Sequence, residues 1–475
     1  MATKPAQKMQ NTLAERMANY ANTLRFDHLP PEVVHEAKRV VIDSVGVALG
    51  AYQQEPCVIA RRVATRYAPI EEGGATILGT NLTAPPDWAA FANGICVRYF
   101  DYNDTYLSKE PAHPSDNITA CLAMAEVARR SGRDLITAIV TAYEVQLRLC
   151  DAASIRAKGW DHPTYGAFSV AAAAAQLLGL DAEKTRQALN IAGVGGALLR
   201  QSRTGELSHW KGVAFADAAR QGIFAATLAA EGMTGPSPIF EGEMGIETQL
   251  GVSFDEIAGP FAKSPQAQKQ EQDYMIRHSF FKFWPAEYHS QSAIAAILKI
   301  RQQLGGDAAA GKVKQVLCRT HKASYEIIGS SAEQWRPTSR ETADHSLAYM
   351  VAAALVDGDL TDAQFERSRF TDPELLKTVD KVKVVEDPEM TALYPDHIAN
   401  IVTVTTTDGQ ELTERVDDAP GHVKNRLSDD RLLEKYHKLA EPVIGTHRAR
   451  QVADWIWGLD KHDRAADLMK LLELK

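Results

Sequence analysis

Hydrophobic residues recur at every third or fourth position through the first half of the chain. From Gln10 to about Ala230 this spacing puts apolar side chains on one face of successive helices. A helix is expected to begin at Pro30-Pro31, because proline is favoured in the first helical turn and valines follow at helical intervals. Alanine-rich stretches at 167–175 and 213–230 indicate helices that approach each other closely. The pattern predicts an all-helical first part.

The pattern changes near Gly232. A Gly-Pro-Ser-Pro sequence at 235–238 opens a stretch with few helix signals. Beyond it, segments 313–319, 381–385 and 401–407 are rich in β-branched residues, and the last runs into Asp408-Gly409, which is typical of a hairpin turn. A helical pattern at 343–356 lies among these segments. The mixture predicts a small α+β domain.

Helical periodicity returns from Ser428 to Leu474, so we expect the C-terminal helices to pack back onto the first part. The predicted fold is therefore mainly α. A large all-helical domain would be formed by both chain ends, residues 1–270 and 419–475, with a smaller α+β domain inserted at 271–418.

The composition argues against several classes of protein. The 475 residues are 45% hydrophobic and 24% charged, as in ordinary globular proteins, and the net charge of −9 argues against a nucleic-acid surface. Five separated cysteines without a Cys-x-x-Cys pair argue against a disulfide framework, structural zinc or an iron–sulfur cluster. No secretory signal and no apolar run long enough to span a bilayer is found. We expect a cytoplasmic protein without membrane or nucleic-acid partners.

The densest group of residues that could take part in catalysis begins at Asp101. Asp101 and Thr105 would share one face if this segment were helical, and Pro114 disfavours a helical conformation at His113, which should place the imidazole on a loop. The segment resembles a calcium loop only superficially, because Tyr106 and Ala112 stand where glycine and glutamate are needed. A carboxylate, a hydroxyl and an imidazole are expected to converge.

Three further segments could contribute. His162 precedes a proline, and Lys211 begins an alanine-rich helix, where free N–H groups and the helix dipole attract anions. Lys282 lies among aromatic residues, which would strengthen its pairing with an anion. His162 and Lys211 also have non-catalytic alternatives, since single histidines are more often structural than catalytic and Lys211 could be a solvated helix residue. No P-loop, dinucleotide fingerprint, hydrolase elbow or zinc-peptidase motif is present, so catalysis is expected to be cofactor-free.

Together these segments resemble the MmgE/PrpD family. The signature lies in Arg98 to Thr105 with His113 to Asn117, and the likeness extends through segments 161–164, 209–212, 281–285 and 343–349, so it covers essentially the whole chain. The resemblance implies a helical domain built from both chain ends, an inserted lid domain and a homodimer. Members of the family dehydrate 2-methylcitrate, decarboxylate cis-aconitate or epimerise iminodisuccinate, all without a metal.

The resemblance also implies a set of site residues. His113 and His162 would share general-base and general-acid duties, with the division between them open, and Asp101 would orient an imidazole. Four residues would bind substrate, namely Thr105, Lys211, Lys282 and Tyr349. No metal or cofactor is expected.

The form of the signature, with Asn103 and Ser115-Asp116-Asn117, favours the dehydratase branch of the family. The implied activity is metal-independent dehydration of 2-methylcitrate to 2-methyl-cis-aconitate in propionate catabolism, with citrate as a possible second substrate. The alternatives are cis-aconitate decarboxylation, iminodisuccinate epimerisation, or a non-catalytic carboxylate-binding protein that keeps the fold.

Overall fold

The computed structural model describes residues 11–205, 207–255, 261, 268 and 274–474. Within these ranges helices predominate and strands are few, which confirms the predicted mainly α class. In chain order, helices α1 to α10 span Leu13–Thr23, Pro31–Gly50, Glu55–Ala64, Pro86–Arg98, Ile118–Val127, Gly132–Ala152, Pro163–Leu178, Ala182–Gly195, Trp210–Ala230 and Ile246–Leu250.

The remaining helices fall into two groups. Helices α11 to α18 span Gln291–Gln303, Ala309–Lys312, Lys322–Ile328, Arg340–Ala343, Leu347–Asp357, Arg367–Phe370, Pro373–Val379 and Pro388–Leu393. Helices α19 to α21 span Asp429–Ile444, Thr446–Trp457 and Asp467–Leu471.

Local sequence signals explain where several helices begin. Thr12 and Glu15 form a reciprocal capping box at the start of α1, and Ser131 and Asp134 do the same for α6. Helix α2 begins at Pro31, where the missing N–H of proline costs nothing because first-turn N–H groups have no partner within the helix. The predicted start at Pro30-Pro31 is confirmed.

Helices α7 and α9 pack closely, and glycine makes this possible. A Cβ atom at Gly166 would lie 2.4 Å from the Phe215 ring, and one at Gly222 would lie 2.8 Å from the carbonyl oxygen of Ala167. The contact brings the first turns of α7 and α9 into one region of the molecule. No helix in the described ranges has the length and hydrophobicity needed to cross a membrane.

Two β-sheets are present in the described residues. A short antiparallel pair joins β1, Ala75–Thr76, to β2, Thr83–Ala84. The larger sheet has the order β4-β3-β5-β6, in which β3 and β4 are parallel and the other neighbours are antiparallel. Its strands span Val313–Thr320 (β3), Val382–Glu386 (β4), Asn400–Thr406 (β5) and Glu411–Val416 (β6). The three strands predicted from β-branched content and the turn at Asp408-Gly409 are confirmed.

Buried apolar side chains form two large clusters. The first draws on α1 to α10, continues to Phe281, and also takes in Leu432 and Tyr436 of α19 together with residues of α20 and α21. The second runs from Trp284 to Val416 and packs helices against the four-stranded sheet. The predicted boundary between residues 270 and 271 lies outside the described residues. The domain limits and the lid role stay predictions.

The expected helix over 343–356 is interrupted. Helix α14 ends at Ala343 and α15 begins only at Leu347, where the Ser346 hydroxyl accepts a hydrogen bond from the Tyr349 N–H over 3.0 Å. A serine side chain that caps a new helix competes with continuation of the old one. The break leaves Asp344 and His345 outside both helices.

Candidate active site

A cavity of about 120 Å³ brings together side chains from distant parts of the chain. Its wall combines residues from the first part of the chain with residues from the segments around 282–289 and 345. Six of the seven predicted site residues line it, namely Asp101, Thr105, His113, His162, Lys211 and Lys282.

Asp101 lies on a loop and not on a helix. Helix α4 ends at Arg98, and Asp101 has a φ of +50°, in the left-handed region that non-glycine residues rarely occupy. Thr105 forms an antiparallel bridge with Phe280, with N–H to oxygen distances of 2.8 and 2.7 Å. The expectation that a helix aligns Asp101 with Thr105 is therefore wrong. The loop and its pairing with the 280–282 segment bring these groups together.

The buried carboxylate of Asp101 is surrounded by three cations. Its Oδ1 accepts hydrogen bonds from Arg98 Nη1 at 2.6 Å and Lys282 Nζ at 2.5 Å, and its Oδ2 accepts one from Lys211 Nζ at 3.3 Å. Burial would raise the pKa of Asp101, but Arg98, Lys211 and Lys282 together hold it well below its usual range. Burial also lowers the pKa of Lys282, and Asp101 partly offsets that effect. The carboxylate is therefore ionised and fixed.

Lys211 lies in the first turn of α9, as predicted, and contacts more than Asp101. Its Nζ donates to Asp344 Oδ1 at 3.1 Å and lies 3.3 Å from His345 Nδ1. Oxygen and nitrogen atoms of Asp101, Asp344 and His345 lie within 4.8 Å of one another, a spacing that could hold a metal ion. The Lys211 ammonium group contacts all three side chains, so positive charge is already supplied there by the protein.

The contacts of His113 fix its tautomer. Its Nε2 lies 2.9 Å from Arg98 Nη2, and because a guanidinium can only donate, Nε2 must be the acceptor. Nδ1 therefore carries the proton and donates it to the backbone oxygen of Asp104 at 2.8 Å, with the Thr105 hydroxyl 3.1 Å away. Burial, Arg98 and Lys282 hold the pKa of His113 well below its usual range. The imidazole is neutral.

His162 immediately precedes α7 and is held by a carboxylate. Its Nδ1 lies 3.1 Å from Asp161 Oδ1, and the other Asp161 oxygen accepts a hydrogen bond from the Ser202 hydroxyl at 2.6 Å. Burial and then Arg203 lower the pKa of His162 to about 4, although Asp161 opposes them. The buried Nε2 has no hydrogen-bond partner among the described residues. His162 therefore presents a neutral imidazole with a free lone pair.

Asp101 makes no direct hydrogen bond to His113, so its predicted role of orienting an imidazole stays a prediction. Its Oδ1 lies 3.9 Å from His113 Nε2, too far for a hydrogen bond, and three cations occupy its oxygens. The imidazoles are held directly by the Asp104 backbone oxygen and by Asp161. The two rings lie edge to face with their centroids 5.9 Å apart.

Tyr349 does not line this cavity. It lies on α15 inside the second hydrophobic cluster, and its hydroxyl donates a hydrogen bond to the backbone oxygen of Gln364. The 343–349 segment contributes Asp344 and His345 to the site instead. The break between α14 and α15 leaves these two residues outside both helices, where they contact Lys211. The structure thus gives no contact through which Tyr349 could bind a ligand in this cavity.

Several residues that line or support the cavity were missed from the sequence. Arg98 belongs to the recognised signature and could have been selected from it, whereas Arg156 and Arg200 stand in segments without any motif. Neither Arg156 nor Arg200 has an ion-pair partner within the described ranges, and burial and then Arg156 lower the pKa of Arg200. Glu110 and Asp161 act on Arg200 only electrostatically, so both guanidinium groups are candidates to bind an anion in the cavity.

Helix α19 contributes Lys435, which supports the site without lining the cavity. Lys435 donates hydrogen bonds to the backbone oxygens of Tyr102 at 2.7 Å and Lys282 at 3.0 Å, and its Nζ pairs with Asp43 at 2.7 Å. One buried ammonium group therefore connects the loop after Asp101 to the segment that carries Lys282. No sequence motif pointed to this residue.

Two family models match most of the chain. The family model for the MmgE/PrpD N-terminal domain matches residues 15–255, and that for the MmgE/PrpD C-terminal domain matches residues 284–460. The chain is similar to 2-methylcitrate dehydratase of Escherichia coli K12, with 31% identity over 424 residues covering 83% of each chain.

Two further relatives extend the comparison. A 2-methylcitrate dehydratase of Cupriavidus necator is 31% identical over 422 residues, covering 84% of this chain and 83% of its own. Cis-aconitate decarboxylase of Homo sapiens is 27% identical over 484 residues, covering 98% of this chain and 95% of its own. From the two domain matches and these relatives, the chain belongs to the MmgE/PrpD family.

Proposed function

We propose that this chain is a hydro-lyase that dehydrates 2-methylcitrate to 2-methyl-cis-aconitate without a metal ion, and that citrate is a second substrate. The observation that carries the proposal is the pairing of two neutral, oriented imidazoles, His113 and His162, with an excess of cations around one cavity. Relatives named 2-methylcitrate dehydratase, over most of the chain, support the same activity.

The charge of the cavity suits a substrate with several carboxylates. Six lysine and arginine side chains line it, against the two carboxylates of Asp101 and Glu287. Arg98, Lys211 and Lys282 share the Asp101 carboxylate and Lys211 also pairs with Asp344, so three cations of this wall face two carboxylates within hydrogen-bond reach. In a partly desolvated cavity such cations bind anions more strongly than they would in water. A tricarboxylate fits this field better than a neutral ligand.

Dehydration requires removal of a weakly acidic proton next to a carboxylate and loss of hydroxide from the neighbouring carbon. A neutral imidazole with a free lone pair, such as that of His162, is suited to accept the proton. His113 shares proton handling, and its Nε2 becomes available when a substrate carboxylate draws Arg98 away. Thr105 is placed to hydrogen-bond the substrate, since its hydroxyl lies at the cavity wall beside His113.

Negative charge that grows on the substrate carboxylate during proton removal needs a fixed counter-charge. Lys211 and Lys282 supply it, because Asp101 and Asp344 hold both ammonium groups in place before the substrate arrives. Lys211 already fills the space between Asp101, Asp344 and His345, so we propose that no metal ion is needed there. The homodimer implied by the resemblance and the lid role of the 271–418 segment remain predictions.

Decarboxylation of cis-aconitate is the second candidate, because the human relative with that name matches nearly the whole chain. Both reactions use cations that hold carboxylates, so the cavity alone favours neither strongly. Product analysis by nuclear magnetic resonance separates them. We expect 2-methylcitrate to give an unsaturated tricarboxylate with all its carbons; release of carbon dioxide from cis-aconitate, with no reaction of 2-methylcitrate, would overturn the proposal in favour of the decarboxylase.

A further inference from the structure

A second buried carboxylate–imidazole pair lines the same cavity, formed by Glu287 and His289. Oε1 of Glu287 lies 2.6 Å from His289 Nδ1, and Oε2 accepts a hydrogen bond from the His289 backbone N–H at 2.9 Å. The His289 residue is only 4% exposed. The mechanism described so far uses neither residue.

The contacts of His289 determine which nitrogen can act. Burial would raise the pKa of Glu287, but His289, then His345 and Lys282, hold it at about 2, so this carboxylate is ionised and can only accept. Nδ1 of His289 therefore carries a proton, and Nε2 is left as the reactive atom. That Nε2 is buried without a hydrogen-bond partner among the described residues. An unpaired buried polar atom at a cavity wall gains a partner when a ligand hydroxyl arrives.

The arrangement repeats that of His162. In both cases a carboxylate binds Nδ1 of a buried imidazole at the wall of the same cavity, and Nε2 has no hydrogen-bond partner in the described part of the chain. The two come from different parts of the molecule. His162 precedes α7 of the first cluster, whereas His289 precedes α11, which packs in the second.

We propose that His289, held by Glu287, is the general acid that protonates the departing hydroxyl. The inference rests on the proposed dehydration and assigns the residue that protonates the leaving oxygen. One of the pair His113 and His162 takes the proton from carbon, and the C–H electron pair becomes the new double bond. The C–O bond breaks, and the oxygen takes the Nε2 proton of the His289 imidazolium and leaves as water. The ionised Glu287 stabilises that imidazolium, and exchange of protons with water restores both histidines.

The test compares two leaving groups. Fluoride needs far less protonation than hydroxide, so the probe is the 2-methylcitrate analogue that carries fluorine in place of the hydroxyl group. The His289→Gln variant is expected to lose about 10²-fold or more in kcat with 2-methylcitrate and much less with the fluoro analogue. At least one of the His113→Gln and His162→Gln variants should lose rate with both compounds, because carbon–hydrogen cleavage is common to them.

His321 provides a matched control. It is fully buried, and its Nε2 also has no hydrogen-bond partner among the residues that the structure describes. Its ring centroid lies 5.0 Å from that of His289, but it does not line the cavity. The His321→Gln variant should keep the wild-type ratio of the two rates. A second variant, Glu287→Gln, tests the acid without removing the imidazole and should show the same selective loss as His289→Gln.

The outcomes separate this inference from the proposed function. Equal losses with both compounds in the His289→Gln and Glu287→Gln variants would show a structural role and overturn the inference, as would full activity of both variants. A wild-type chain that fails to dehydrate 2-methylcitrate would instead overturn the proposed function itself.

Discussion

Arg98 Nη2 lies 2.9 Å from Nε2 of His113, and the direction of this hydrogen bond decides the state of the imidazole. Because the guanidinium can only donate, His113 must be neutral with its proton on Nδ1, facing the Asp104 backbone oxygen. Arg98 also binds Asp101, so one side chain connects the central carboxylate to a candidate base. A ligand carboxylate that displaces Arg98 from His113 would release the lone pair of Nε2.

Replacement of His113 by alanine tests its part in proton transfer. We expect kcat for dehydration to fall by about 10²–10⁴-fold, the range usual for acid–base groups, while the circular dichroism spectrum stays unchanged. Initial rates measured beside thermal unfolding check both points. A His113→Ala chain that keeps more than about a tenth of the wild-type rate would contradict this role.

Lys282 is expected to matter for stability as well as activity. Its removal in Lys282→Met leaves the buried Asp101 carboxylate with Arg98 and Lys211. We therefore expect a loss below the ~3–5 kcal/mol typical of a buried charge left without a partner, but above that of an exposed pair. Lys438→Met is the control, because Lys438 and Asp359 form an exposed pair worth less than about 1 kcal/mol. Urea unfolding measures both, and equal losses in the two variants would argue against a tightly held cation cluster.

The lowered pKa of His162 predicts a pH dependence of stability. Its pKa is about 4 in the folded chain and near 6.5 when unfolded, so as the pH falls through this window the unfolded chain binds a proton first. The free energy of unfolding therefore decreases between about pH 6.5 and 4 by up to about 3 kcal/mol from this group. The His162→Gln variant should lack that part of the decrease. If the free energy of unfolding of the wild-type chain and of the His162→Gln variant changed with pH in the same way, His162 would not be held neutral.

Arg156 and Arg200 are expected to bind a substrate carboxylate, since neither has an ion-pair partner in the described part of the chain. Replacing either by glutamine should raise KM for 2-methylcitrate by about tenfold or more, because hydrogen bonds to charged groups contribute about 1.5–3 kcal/mol, with a smaller effect on kcat. Arg415→Gln, on the edge strand β6, is the control. An unchanged KM in steady-state kinetics of both variants would show that Arg156 and Arg200 do not bind the substrate.

Much of the fold could be predicted because its signals are local. Helical spacing after Pro31, β-branched strands and the Asp408-Gly409 turn each depend on a few neighbouring residues, and all are present. The interruption at Asp344 was not predicted, because the apolar pattern continues across it. It is decided by the Ser346 cap.

The candidate site was predicted where residues belong to a recognisable motif, as for His113 and Lys211. Roles that depend on distance between remote segments could not be read from the sequence. Asp101 is the clearest case, because a helical reading paired it with Thr105, whereas the structure surrounds it with cations. Arg156 and Lys435 lie in segments without a motif, and only the packing of distant parts reveals them.

The central claim is that this chain dehydrates 2-methylcitrate without a metal ion. The most direct measurement mixes chelator-treated protein with separate stereoisomers of 2-methylcitrate and with citrate, and follows the ultraviolet absorbance of the new carbon–carbon double bond. We predict rising absorbance, fastest with one 2-methylcitrate isomer and insensitive to the chelator. No change with any of these compounds, or activity that appears only after a divalent metal ion is added back, would contradict it.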